Sequence, residues 1–533
     1  MKMKWLCAGS ALALILCTAL FLPKKSSEEA GVKKITAQQA ADFLRKNRNE
    51  SDLPVFDPIE DSEYQFDDID EGDFIQHDEQ YLYIVDYERL NIVDINSKEC
   101  VNEIRFEDFM PSEIILTSEY IVLIGIRSIV DEIEVLPGRK FPYSSSECGV
   151  FIVSKSDFSL FRSVFFAESY YLSSAVYQDA LYLALSDYTI FNPESKTFIF
   201  PSYQDSIYRD QKLSEEDLYL SEAGQNAFSI RLIAKITLKE IRPMEFKGIL
   251  GVEGMPTFSE KKILMSSPLY EEENKTAIHV FAMETLTYEG SIVLDGYLTN
   301  SYALSCYGGY LRAATCAYEN NASHNYLYNV SLSDYTLKAK RSIAPDESIY
   351  AIRFDKNYCY LSTFLYVDPL CIYDFSDPSE IKETKEAEVE FSCDYLELTS
   401  DYLFALGTSY DEEMISDGLV LALFDKEELT LSNVFQIDEK YANTEERYNQ
   451  KALVRKGNTI YFPMFGERGQ SVQIFSTENP IYHKKTLNFP EDYILRIVVT
   501  DHYVLCISST QVYYYSIHSY AFVSQLEYRK IDE

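Results

Sequence analysis

From about Phe74 onward the chain alternates short apolar runs with tight polar turns, and one unit keeps returning. A Tyr-rich apolar strand is followed by a turn and then by a second apolar strand that often ends in Asp or Ser. Short runs rich in β-branched and aromatic residues, bounded by turn formers, predict strands rather than helices. Tyr81–Val85 leads to Leu90–Asp94, Tyr120–Gly125 to Val150–Ser154, and Leu181–Leu185 to Tyr188–Phe191. Lys262–Met265 leads to Ile278–Ala282, Tyr310–Thr315 to Tyr326–Val330, and Tyr358–Thr363 to Leu370–Asp374. Three more hairpins begin near Tyr402, Thr459 and Tyr503.

Hairpins returning every ~40 to 60 residues fit four-stranded blades arranged radially better than they fit separate sandwiches. The expected fold class is therefore all-β, a β-propeller of about seven to eight four-stranded blades, with one hairpin left over as an insertion or edge element. Gly-His and Trp-Asp signatures are missing, so an ordinary WD40 protein is not indicated.

Ahead of the repeats the pattern changes twice. Trp5 to Leu22 is one apolar stretch flanked by Lys2 and Lys4 and by Pro23, Lys24 and Lys25. This is signal or anchor composition, just long enough to cross a hydrocarbon core. No small-x-small cleavage site follows it, and Leu16 before Cys17 argues against a lipid anchor. Thr36 and Gln39 have the spacing of a capping box that opens a short helix through about Arg48. Asn49 to Glu71 is acidic and without pattern. The expected organisation is a signal or transmembrane anchor over 1–25, a stalk with a short helix and acidic linker over 26–70, and the propeller over 71–533. The expected location is extracytoplasmic, either membrane-anchored through the N-terminal helix or secreted.

Composition narrows the partners. The net charge is -37, spread along the whole chain, which favours a solvated, self-repelling surface and disfavours nucleic acid. Two of the ten Cys fall in the anchor, and the rest show no CxxC pair and no Cys/His cluster of zinc spacing. Cys306 with Cys316, or Cys359 with Cys371, could bridge neighbouring strands; buried free thiols are the alternative.

Asp70-Glu71-Gly72-Asp73-Phe74-Ile75 before Tyr81-Leu82-Tyr83 resembles the entry segment of a bacterial and archaeal family of secreted proteins with a C-terminal β-propeller, distantly related to WD40. Gly309-Tyr310-Leu311-Arg312-Ala313-Ala314-Thr315, Ile349-Tyr350-Ala351-Ile352-Arg353-Phe354, Asp368-Pro369-Leu370 and Asp374-Phe375-Ser376-Asp377-Pro378 follow in the family's order. Lys451-Ala452 before Tyr461-Phe462-Pro463 extends the resemblance to Pro463. Gln76, Ala175, Glu397 and Gln450 depart from it at polar positions. The resemblance implies a propeller and export, without an activity to carry over.

Catalytic chemistry is poorly represented. There is no Gly-x-Ser-x-Gly elbow, and the six His stand singly. Arg312 and Arg353 interrupt apolar strands, where a guanidinium needs partners; a clamp between blades using Asp368 or Asp374 competes with ligand binding at a central channel. Lys451 is the remaining basic candidate, so the ligand-binding set is Arg312, Arg353, Asp368 and Lys451. Asp68, Asp70 and Asp73 lie in an acidic run that only half fits a calcium loop, and calcium is the one cofactor left open. The expected function is non-catalytic binding of a protein or other cell-envelope component. The alternative is a propeller-based hydrolase or metal-dependent enzyme with its site at the central channel.

Overall fold

The computed structural model describes residues 31–47, 72–136, 139–224, 228–254, 256–269, 274–319, 322–345, 347–364, 368–411, 415–445 and 449–529. Its strands form nine antiparallel blades, at 75–105, 109–166, 169–250, 256–295, 297–343, 348–389, 392–438, 443–489 and 494–527. The class matches the expectation, but the blade number is nine rather than seven or eight, because each of the nine leading hairpin strands read from the sequence builds a blade and none is left over as an insertion. In every blade but the third the hairpin supplies the second and third strands. The first strand lies innermost, and the fourth is the exposed outer edge, as in Glu99–Arg105, Leu431–Asp438 and Phe522–Glu527.

The Asp or Ser that ends the third strand has a local task. Asp94 Oδ1 accepts from the amides of Asn96 and Ser97, and Asp425 Oδ1 from those of Glu427 and Glu428. The amide four residues on returns to the carbonyl of the same residue at Asp94, Ser154, Asp425 and Ser516. These donors, Lys98, Phe158, Leu429 and Tyr520, sit at φ 60, 57, 53 and 53°, the left-handed conformation that closes the turn. Short acceptor side chains favour such turns because they satisfy amides that no strand partner can reach. Just before this turn, eight of the nine blades carry a register shift between the third and fourth strands.

Inter-blade packing closes the ring. Each pair of consecutive blades shares a buried apolar cluster, and the last cluster joins Ile84 and Val93 of blade 1 to Leu505, Ile507 and Tyr514 of blade 9. Burying one such side chain contributes about 1.5–3 kcal/mol, so side-chain packing can hold the seam. Among the described residues no strand is exchanged across it: blade 1 uses strands from 75–105 and blade 9 strands from 494–527.

Blade 3 departs from the expected pairing. Ala180–Asp187 pairs along its whole length with Ile230–Thr237, not with Tyr188–Phe191. Asp187 Oδ1 accepts from the Thr189 amide and hydroxyl, which turns the chain away into an insertion. There Ser202–Asp205 joins the outer edge of blade 2, and Leu218–Ser221 runs parallel to Glu245–Leu250. Val32–Lys34 adds antiparallel to Leu218–Ser221. The helix read from the sequence is Ala37–Asn47, and its capping box forms: the Thr36 amide donates to Gln39 Oε1 and the Gln39 amide to Thr36 Oγ1. Ala40, Ala41 and Leu44 bury its apolar stripe in the core between blades 2 and 3. No helix among the described residues is long and apolar enough to cross a membrane, and Trp5 to Leu22 lies outside them. The eight described Cys are free thiols, seven of them buried, so neither Cys306–Cys316 nor Cys359–Cys371 is bridged.

Candidate binding site at the ring seam

The inner strands of blades 8, 9 and 1 leave a cavity of about 540 Å³ along the inner wall where the ring closes. Four basic side chains line it, Lys451, Arg455, Lys456 and Arg496, together with Asp73 and His77. Over the whole chain Asp and Glu number 85 against 48 Lys and Arg, so this wall inverts the balance of the protein.

Each cation is held by its own local geometry. Arg496 interrupts the apolar run Ile494–Val499, and an inner-strand bulge between Ile494 and Arg496 re-aims it. Its Nε and Nη2 donate to Asp73 at 2.8 and 3.2 Å, and Nη1 donates to the Leu495 carbonyl at 2.8 Å. The Phe74 ring lies 4.3 Å from its guanidinium carbon. Arg455 reaches across to blade 7, with Nε 2.8 Å from Glu397 Oε1 and Nη1 2.7 Å from Thr477 Oγ1. Lys451 Nζ donates to the Gly72 carbonyl at 2.6 Å, tying blade 8 to the entry of blade 1. Lys456 pairs with the exposed Asp501 at 2.7 Å and holds that carboxyl below its ordinary value.

The seam brings together two of the expected site residues, Lys451 and Asp73, from opposite ends of the chain. Both carboxylate oxygens of Asp73 are taken by Arg496, an arrangement for closing a ring. Asp68 and Asp70 lie outside the described residues, and among those described no group of three or more His, Cys, Asp or Glu could hold a metal ion.

Arg312, Arg353 and Asp368 sit elsewhere. Arg312 is 2% exposed; its Nη2 donates to Asn357 Oδ1 of blade 6 at 2.9 Å, with the Tyr307 and Phe375 rings each 5.3 Å away. It does join two blades, but through a neutral amide rather than Asp374, whose Oδ1 accepts from the Ser376 amide. Burial lowers its pKa. Arg353, on the inner strand of blade 6, stacks 3.8 Å over Tyr302 and donates to the Ile352 carbonyl. Asp368 begins the third strand of blade 6, opposite Val389. Arg496 carried the same signal as Arg312, a charge inside an apolar strand, and the sequence reading passed over it; Arg455 and Lys456 lie in the short strand Val454–Lys456, which gives no such signal.

Among the six His, His279 alone is fully buried with a serine at each ring nitrogen: Nε2 lies 3.0 Å from Ser221 Oγ and Nδ1 2.6 Å from Ser291 Oγ. Burial lowers its pKa to about 4. The Ser221–His279 contact has no route to a substrate, because Ser221 is itself 1% exposed.

An uncharacterized protein of Archaeoglobus fulgidus is 26% identical over 259 residues, covering 48% of this chain and 39% of that protein. An uncharacterized protein of Methanocaldococcus jannaschii is 28% identical over 178 residues, covering 33% and 27%. The chain thus matches well under half the length of each of these relatives. Among solved structures, the β-propeller domain of the trilobed protease from Pyrococcus furiosus aligns with a TM-score of 0.35 at 13% identity, over 68% of this chain and 96% of that one. BamB from Moraxella catarrhalis aligns with a TM-score of 0.33 at 10% identity, over 56% and 85%. The family model for the beta propeller domain matches residues 62–521, and the chain belongs to that family.

Proposed function

We propose that this protein is a non-catalytic, extracytoplasmic binding protein whose ring takes up an acidic segment of a partner at the seam between blades 8, 9 and 1. The basic wall of Lys451, Arg455, Lys456 and Arg496 carries this reading, because it is a local reversal of charge in a strongly acidic chain. Distant surface charge repels an acidic partner, so recognition relies on close contact inside the cavity, where screening by salt is weaker. The apolar stretch Trp5 to Leu22 supports a tether or export signal. A hydrolytic site lacks comparable support, since the Ser221–His279 contact is sealed in the core.

Fluorescence anisotropy with a labelled oligoglutamate peptide tests the reading. The full chain should bind it in preference to an oligolysine peptide, and Lys456→Glu should weaken binding by about tenfold, the effect of about 1.4 kcal/mol. Equal binding of both peptides, or an indifferent Lys456→Glu variant, would remove the proposal.

A further inference from the structure

A second cavity, independent of the seam, opens between blades 7 and 8. Its volume is about 240 Å³, below the ~300–1,000 Å³ of drug-sized pockets and large enough for a small ring. One wall is the outer strand of blade 7, Leu431–Asp438, and the other is formed by Gly469–Ser476 and Tyr482–Phe489 of blade 8.

The floor of this cleft carries a polar side chain at a slot that four other blades fill by core packing, while blades 1 and 4 place the buried Asn91 and His279 there. Two residues before the register shift that precedes the turn, the third strand points a side chain at the preceding blade. Blades 2, 5, 6 and 7 fill that slot with Phe151, Tyr328, Cys371 and Ala422, which pack into the inter-blade cores. Blade 8 places Gln473 there, 5% exposed. A carboxamide in a core slot is costly unless its hydrogen bonds are met. Here they are met inside the cleft: Thr486 Oγ1 donates to Gln473 Oε1 at 2.9 Å, and Gln473 Nε2 donates to Ser471 Oγ at 2.9 Å. The single hydroxyl proton of Thr486 is spent on Gln473, so His483 Nε2, 2.9 Å away, is the donor to Thr486.

This orientation leaves groups of both kinds facing the cavity. The Ser471 hydroxyl proton has no protein acceptor among the described residues, and the side chains of Asp438, Arg468 and Asn488 make no hydrogen bond there. Beside them lies apolar surface from the half-buried Phe435, backed by Met464 and Phe475.

We propose that this cleft is a binding site for a neutral, hydroxyl-rich ring, a single sugar residue or the end of a glycan. Adjacent hydroxyls each donate and accept, which matches a row of neutral two-way groups bordered by the Asp438 and Glu439 carboxylates and the Arg468 guanidinium. The C–H face of a sugar ring lies against Phe435. A zwitterionic amino acid is the poorer match, since it concentrates its demand at two charged poles and leaves the hydroxyl and amide row unused.

Saturation-transfer NMR and calorimetry on the full chain, with glucose, galactose, mannose and N-acetylglucosamine as probes and glycine and glutamate as controls, test the assignment. At least one sugar should bind saturably and neither amino acid should. Gln473→Ala and Asn488→Ala should each weaken that binding by about tenfold, the loss of one or two hydrogen bonds. Asn488 is exposed, so its variant leaves the fold intact whatever Gln473→Ala does. Absence of saturable sugar binding, binding of an amino acid instead, or unchanged binding in both variants would overturn the assignment. Oligoglutamate binding at the seam is read separately, and neither result depends on the other.

Discussion

Blades 4 and 8 place polar side chains, His279 and Gln473, at the same structural slot and reach opposite outcomes. At blade 4 the insertion of blade 3 lays Leu218–Ser221 alongside, and Ser221 closes over the ring. His279 is therefore sealed, with both nitrogens matched by hydroxyls and none of its surface exposed. Among the described residues blade 7 adds no strand beyond Leu431–Asp438, and the same slot in blade 8 opens to a cavity. The comparison separates two uses of a polar residue in a propeller core. In blade 4 the neighbouring blade brings a partner and the group is sealed, and in blade 8 it brings none and the group lines a cleft. In blade 1 Asn91 takes a third course, buried at the same slot without a hydrogen-bond partner among the described residues.

The largest effect should come from carrying the open arrangement into a sealed interface. Ala422 occupies the slot in blade 7, fully buried against blade 6. Ala422→Gln adds volume to a filled core and an amide without partners, so it should cost roughly 2 to 6 kcal/mol in urea unfolding. A variant as stable as wild type would mean that the slot is not packed, and the contrast with Gln473 would dissolve.

The sealed histidine gives the next effect, through pH. A folded-state value of about 4, against an unfolded value of about 6.5, means that between those limits only the unfolded chain binds the proton. Stability from this group is complete above about pH 6.5 and is lost as pH falls toward 4, by about 3 kcal/mol in total. Asp187 works in the opposite sense: burial raises its carboxyl to about 6, so its contribution falls as pH rises toward that value. Comparing wild type with His279→Gln at pH 7 and pH 4.5 isolates the histidine. The variant should lose less stability on acidification, and equal losses would show that His279 is not held neutral.

Much of this architecture could be read from the chain, because strand alternation and terminal Asp or Ser residues are local signals. Seven of the nine third strands end in Asp or Ser, the exceptions being Thr237 and Ala282, and the capping box at Thr36 and Gln39 formed as read. The expected blade count is short because nine hairpins exceed the usual range of about four to eight blades, which leaves one to be an insertion or edge element. The pairing in blade 3 differs because the partner of Ala180–Asp187 lies beyond the insertion, while the apolar Tyr188–Phe191 sits close by in sequence. Nothing local distinguishes a near apolar run from a distant one with longer register. The seam was half legible: Lys451 and Asp73 stood out, but only closure of the ring puts Arg496 on Asp73. The blade 8 cleft was not legible, since Gln473 in Gly469–Ser476 looks like any polar residue of an alternating strand until a register shift fixes which face it takes.

The smallest effect should be the most discriminating. Gln473→Ala gives blade 8 the residue that blade 7 already carries in the same slot, and it removes an amide whose partners, Ser471 and Thr486, line the cavity. Water can replace the lost partner for both hydroxyls, so neither becomes a buried, unpaired group. The transfer loss is small because the cleft is not a packed core, and the expected change in unfolding free energy is below about 1 kcal/mol. At His279 the corresponding truncation to Ala would strand Ser221 in a sealed core, and a cost of about 3 kcal/mol or more follows from the cavity and the lost hydrogen bonds together. Urea unfolding of the two variants side by side measures the difference. Equal costs would mean that Gln473 is as sealed as His279, and the cleft would then be a packing feature rather than a place where a ligand sits.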